Sequence, residues 1–89
     1  MILEKNAIIA AIKARVLEIA SMLGSDASDL RPDEILPATG AVDSAGLLEL
    51  IAWLESAYAL RIAAQEFTID NLGSLNLMAD FVLRRKGLL

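Results

Sequence analysis

Three stretches of this chain place apolar residues at helical spacing, and this pattern constrains the fold more than any other feature. In residues 3–23 the apolar positions step by four, four, three and four, which puts them on one helix face: Ile8, Ile12, Val16, Ile19 and Leu23. The second stretch begins at Asp43 or Ser44 and ends near Tyr58. The third begins at Leu72 or Ser74 and ends near Lys86, with a predicted buried stripe of Leu75, Met78, Phe81 and Val82. Three main helices are therefore predicted.

The connections between these stretches complete the prediction. Residues 25–42 contain Pro32, Pro37 and Gly40, so no long helix is expected there. Apolar residues in this long loop predict that it lies against the core: Leu30, Ile35 and Leu36. Residues 60–62 read as an extended link and residues 63–67 as one helical turn. We predict an all-α fold, a small four-helix bundle of three main helices plus a short third helix, forming one domain over residues 1–89.

Composition and charge exclude several classes of function. Hydrophobic residues make up 56% of the chain, which favours a packed core. The net charge of −4 argues against nucleic-acid binding and suits basic protein partners. The chain has no Cys and no His, which removes thiolate nucleophiles, the usual zinc sites and a Ser-His-Asp triad. We therefore expect no metal site and no enzyme activity.

No membrane span is predicted, because charged residues interrupt the first helical stretch well short of the roughly 20 apolar residues that a span needs. Residues 7–12 form too short a run for a signal peptide. The expected location is the cytoplasm, and nothing in the sequence requires more than a monomer.

Asp43 and Ser44 lie where the N-cap of the second helix belongs. One interpretation is that one of them caps the helix and the other has no special role. The alternative is that Ser44 accepts a phosphate-linked group, since the unpaired amides and positive dipole end of a helix stabilise a phosphodiester there.

The second helix has two predicted faces. Its core face contains Leu47, Leu50, Leu54 and Tyr58, with Ile51 and Ala57 at the margins. The opposite face mixes small apolar residues with carboxylates: Ala45, Leu48, Glu49, Ala52, Glu55 and Ser56. This second face is interpreted either as a shallow contact surface with acidic flanks or as an ordinary solvated face.

Taken together, residues 40–44, the following Leu48-Glu49-Leu50 and the ending over residues 67–75 resemble the acyl/peptidyl carrier proteins. The resemblance covers nearly the whole chain and implies an acyl-carrier-protein-like bundle. It implies that a phosphopantetheinyl transferase joins 4′-phosphopantetheine from coenzyme A to Ser44. The thiol of the arm would then hold an acyl or aminoacyl group as a thioester. Asp43 matches the aspartate before the serine, and Glu49 and Glu55 match acidic positions of the recognition helix.

Some positions depart from the common family pattern. Many members have Gly three residues before the serine, where this chain has Ala41, and Gly40 lies one residue earlier. Members with Gly in the earlier position include D-alanyl and other discrete carriers that work with adenylating ligases. Ala45 replaces the commoner Leu, Ile or Met, and Gly46 stands where fatty-acid carriers often have an acid.

The resemblance thus favours a carrier loaded by an adenylate-forming acyl or aminoacyl ligase, which passes its cargo to a downstream acyl-accepting enzyme. Ala45, Leu48, Glu49, Ala52 and Glu55 are the predicted partner-docking residues. The alternatives are a fatty-acid or polyketide carrier loaded by an acyltransferase, and an unmodified helical interaction module in which Ser44 only lies at a cap.

Overall fold

Three long helices and three short ones make up the computed structural model, which describes residues 4–88. The long helices are α1 (Lys5–Met22), α3 (Ser44–Tyr58) and α5 (Leu75–Arg85). The short elements are α2 (Leu36–Thr39), a 3₁₀ turn (Ala64–Glu66) and α4 (Ile69–Leu72). No strand occurs within residues 4–88, and the predicted all-α bundle is confirmed. The predicted start of the first helix at residue 3 lies outside the described residues.

The core lies where α1 packs against α3 and α5. Four residues of the predicted α1 stripe are at most 2% exposed: Ile8, Ile12, Val16 and Ile19. The predicted stripe of α5 is buried as well, and Leu50 and Leu54 of α3 are fully buried between these helices. Ile51, predicted at the margin of the α3 core face, lies within the core, whereas Ala57 is exposed.

Leu23 was predicted to continue the α1 stripe, and this prediction is wrong. Helix α1 ends at Met22, and Leu23 is 49% exposed. The backbone reverses at Gly24, which has a φ of +78°, a conformation that glycine adopts without steric cost. The amide of Ser25 then donates to the carbonyl of Ala20 at 2.8 Å, which closes the helix end. Leu23 therefore lies beyond the last helical residue and off the buried face.

The long loop lies on the core, as predicted, through buried Leu30 and Leu36. Two backbone hydrogen bonds attach it to the turn between α4 and α5 and to the first turn of α5. The Leu36 amide donates to the Gly73 carbonyl at 2.7 Å, and the Asn76 amide donates to the Pro32 carbonyl at 3.0 Å. The loop also contains the short helix α2, which was not predicted. These contacts fix the segment that leads into α3.

The C-terminal helical region is divided in two. Thr68 caps α4 by accepting from the Asn71 amide at 3.2 Å, and Ser74 caps α5 by accepting from the Leu77 amide at 3.1 Å. The last helix therefore begins at Leu75, after its predicted cap at Ser74. Within residues 4–88, no helix is both long enough and apolar enough to cross a membrane.

Candidate functional site

Asp43 caps helix α3. Its Oδ1 accepts a hydrogen bond from the Gly46 amide at 2.7 Å, and its carbonyl accepts from the Leu47 amide at 2.8 Å. An N-cap carboxylate also lies favourably at the positive end of the helix dipole. The sequence predicted that either Asp43 or Ser44 is the N-cap, and the structure shows that it is Asp43.

Ser44 is the first residue of α3 and is exposed. Because Asp43 supplies the cap, the hydroxyl of Ser44 is not needed to begin the helix. The amides of Ser44 and Ala45 have no acceptor within the part of the chain that the structure describes, as expected for the first turn of a helix. An exposed hydroxyl beside unpaired amides suits a covalently attached phosphodiester, so these residues fit a phosphate-linked prosthetic group.

Gly46 fixes how α3 begins. A Cβ atom at this position would lie 3.0 Å from Ile19 Cγ2 and 3.2 Å from Asp43 Oδ1. The start of α3 therefore packs closely on α1, and a larger side chain at this position would require Ile19 or Asp43 to shift. This close packing holds Ser44 in a defined place on the surface.

An apolar groove of about 290 Å³ lies beside Ser44, between α3 and α4. Three large apolar side chains around it are unusually exposed: Leu48 at 57%, Phe67 at 41% and Ile69 at 56%. Buried Leu72 and Ile51 line the groove more deeply. The sequence did not predict Phe67 and Ile69 as site residues, although both lie in the ending over residues 67–75 that contributes to the family resemblance. Exposed apolar side chains grouped in this way are typical of a contact surface.

Four of the five predicted docking residues lie together on the outer face of α3. Ala45, Leu48, Glu49 and Ala52 are all exposed. Glu55 differs, because it is only partly exposed and its Oε2 accepts a hydrogen bond from the Ile62 amide at 2.8 Å. Glu55 thus holds the link that follows α3.

The segment that contains α3 carries charge of one sign. Between residues 36 and 60 every charged side chain is acidic: Asp43, Glu49 and Glu55. An acidic segment suits partners that present basic side chains. Across residues 4–88, no group of three or more His, Cys, Asp and Glu side chains is placed to hold a metal ion.

Comparison with known proteins identifies the family. The family described as "Phosphopantetheine attachment site" matches residues 10–82. The chain is 36% identical over 72 residues to the D-alanyl carrier proteins of Streptococcus thermophilus and Streptococcus sanguinis, and 35% identical to that of Streptococcus gordonii. Each match covers 80% of this chain and 90% of the relative. No solved structure is significantly similar to the chain. The chain therefore belongs to the family of carrier proteins that hold a covalent 4′-phosphopantetheine arm and are not themselves catalysts.

Proposed function

We propose that Ser44 carries the 4′-phosphopantetheine arm and that the chain is an aminoacyl or acyl carrier loaded by an adenylate-forming ligase. The main support for this attachment site is the exposed position of Ser44 at the start of α3, where Asp43 and not Ser44 caps the helix. The similarity to D-alanyl carrier proteins supports an amino acid as cargo. Gly40, placed as in D-alanyl and other discrete carriers, supports the same subtype.

Attachment forms an ester bond between Ser44 Oγ and the β-phosphorus of coenzyme A. The diphosphate bond breaks, 3′,5′-ADP leaves, and the hydroxyl proton of Ser44 passes to a base. The chain contains no His and no Cys, and we assign this base to the phosphopantetheinyl transferase. The new phosphodiester lies at the positive end of α3, which favours its charge.

The arm, held by Ser44, would supply the thiol to which an acyl or aminoacyl group can be attached as a thioester. The chain itself anchors the arm and presents it to partners. Carriers of this family work with phosphopantetheinyl transferases and with ligases in general. Since coenzyme A and ATP are cytoplasmic reactants, we place this reaction sequence, including transfer to an acyl-accepting enzyme, in the cytoplasm.

The proposed docking surface is the outer face of α3. Its small residues Ala45 and Ala52 let a partner approach closely, and Leu48 supplies the apolar contact. Glu49 steers basic partner residues, an effect that salt weakens. Glu55 contributes negative charge at the edge of this face while its carboxylate holds the Ile62 amide.

The test of the attachment site uses the apo protein, coenzyme A, Mg²⁺ and a broad-specificity phosphopantetheinyl transferase. Intact and peptide masses should show a phosphopantetheine increment on the peptide that contains Ser44. Ser44→Ala should abolish the increment, whereas Ser56→Ala, an exposed serine on the same helix, should retain it. An unmodified wild-type chain with several transferases would support an unmodified interaction module instead.

The test of the cargo uses the holo protein with ATP, D-alanine or other amino and carboxylic acids, and adenylate-forming ligases of the source genome. A thioester that hydroxylamine releases is the expected product. If only acyltransferases load the chain, and it then supports chain elongation, the chain is a fatty-acid or polyketide carrier.

A further inference from the structure

The segment between α3 and α4 presents one wall of the groove beside Ser44. Phe67, on this wall, is 41% exposed, so its own packing holds it only in part. The segment before it contains Leu60 and Ile62, whose side chains are buried and anchor its first part. The residues from 63 to 66, just before Phe67, are held by polar contacts instead.

Arg85, in the last turn of α5, makes the central contact. Its guanidinium donates to the carbonyl of Arg61 and to the carboxylate of Glu66. The same group lies 4.7 Å from the centre of the Phe81 ring, which holds it in place from the helix side. A planar guanidinium can make both hydrogen bonds at once, which an ammonium group does less well.

Glu66 carries this restraint to the groove. Its Oε1 accepts from the Ala63 amide at 2.9 Å, and its carbonyl accepts from the Thr68 amide at 2.8 Å. The Asn71 side chain in α4 also donates to this carbonyl, at 3.2 Å. The Ala63 amide and then the Arg85 guanidinium lower the pKa of Glu66, consistent with a carboxylate that stays charged in this network. The carboxylate and the backbone carbonyl of Glu66 are therefore both hydrogen-bonded. This restrains the backbone immediately before Phe67.

We infer that Arg85 is a positioning residue for partner docking: it fixes Glu66 and thereby holds Phe67 at the groove beside Ser44. This inference rests on the proposed function, because the partners concerned are those that act on Ser44. The ion pair is partly exposed, with 36% of the Arg85 side chain and 29% of the Glu66 side chain accessible. Such pairs contribute little to the free energy of unfolding, so loss of Arg85 should weaken docking without unfolding the protein.

The experiment measures how the broad-specificity phosphopantetheinyl transferase modifies apo protein at varied carrier concentration. Arg85→Gln should raise the KM for the carrier about two- to tenfold with little change in kcat, the range expected when one interface side chain must be ordered on binding. Arg84→Gln is the matched control. It removes the same charge one residue earlier, and the Arg84 side chain makes no hydrogen bond or ion pair within residues 4–88. It should leave KM unchanged.

A double-mutant cycle tests whether Arg85 acts through Phe67. Phe67→Ala should itself raise KM, and Arg85→Gln should add no further increase in that background. Amide hydrogen exchange should accelerate at Phe67 and Thr68 in Arg85→Gln, whereas the amides of Leu50 and Leu54 in α3 should exchange as in the wild type.

The outcomes separate the two proposals. An unchanged KM in Arg85→Gln, an equal rise in Arg84→Gln, or an additive effect in the Phe67→Ala background would each overturn the positioning role. Failure of the wild-type protein to accept the arm would overturn the proposed function instead.

Discussion

Replacing the N-cap of α3 should destabilise the protein, whereas replacing the neighbouring serine should not. Asp43→Ala removes the acceptor of the Gly46 amide, and Gly46 is buried, so water does not readily replace the lost bond. Loss of an N-cap costs about 0.5–2 kcal/mol, and an unsatisfied buried amide costs roughly 1–3 kcal/mol. We expect Asp43→Ala to lower the free energy of unfolding by about 1–2 kcal/mol. Ser44→Ala should stay within about 0.5 kcal/mol of the wild type.

Chemical denaturation and thermal melts of the apo proteins measure this difference. In a domain of this size about 1 kcal/mol corresponds to a Tm shift of roughly 4–8 °C, so the two variants are easily separated. Asp43→Asn is the informative control, because it keeps a capping oxygen and removes only the charge. The free energy of unfolding of Asp43→Asn should lie between those of Asp43→Ala and Ser44→Ala. A loss in Ser44→Ala as large as that in Asp43→Ala would refute the assignment of the cap to Asp43.

Three further predictions concern α3 and the groove wall. Leu54→Ala should cost about 2–5 kcal/mol in denaturation experiments because Leu54 is fully buried, whereas Leu48→Ala should leave the melt almost unchanged and slow transfer of the arm. Glu55→Ala should lower Tm and speed amide exchange at Ile62, which loses its acceptor; unchanged exchange there would contradict the structural role of Glu55. A backbone hydrogen bond from Ala63 and then the contact with Arg85 lower the pKa of Glu66 in the folded protein. The charged carboxylate therefore stabilises the fold fully at pH values above the ordinary pKa of a glutamate, and this stabilisation is lost as the pH falls through the lowered pKa. Glu66→Gln should therefore lose less stability than the wild type in melts taken from roughly pH 6 to pH 3, and an identical loss would contradict this account.

The long helices could be predicted because their side chains repeat over several turns. The steps between Ile8 and Ile19 describe one face of a helix whatever the rest of the fold does, and the structure buries that face. Leu23 continues the same spacing, but a helix end is decided by local backbone conformation. The positive φ of Gly24 ends the helix at Met22, so Leu23 lies outside the helix although it continues the spacing.

The short helix α2 has no such repeat. Four residues give too few positions to show a period, and Pro37 within it suggests a break more strongly than a helix start. Its hydrogen bond to Gly73 is a contact between distant parts of the sequence, which no local pattern reveals.

Part of the candidate site could likewise be predicted and part could not. Ser44 and Asp43 follow from a local rule about helix starts and from the family resemblance. The helical wheel of α3 placed Leu48 correctly on the exposed face. It also placed Glu55 there, because a wheel does not show that the segment after α3 returns to bring the Ile62 amide to the Glu55 carboxylate. Phe67 lies in the link before α4 and Ile69 in the four-residue helix α4, and only the approach of this region to α3 makes them neighbours of Ser44.

The two hydrogen bonds that join the first loop to Gly73 and to the first turn of α5 have a consequence for synthesis on the ribosome. The loop that leads to Ser44 receives its partners from Gly73 and Asn76, residues that are translated much later. A nascent chain that ends before α5 therefore lacks the Asn76 bond and the helix that completes the core, so the loop that leads to its serine is held by fewer contacts. Stalled chains of increasing length, offered coenzyme A and transferase, should accept the arm only once α5 has left the exit tunnel. The order of translation would then ensure that only a completed fold receives the arm.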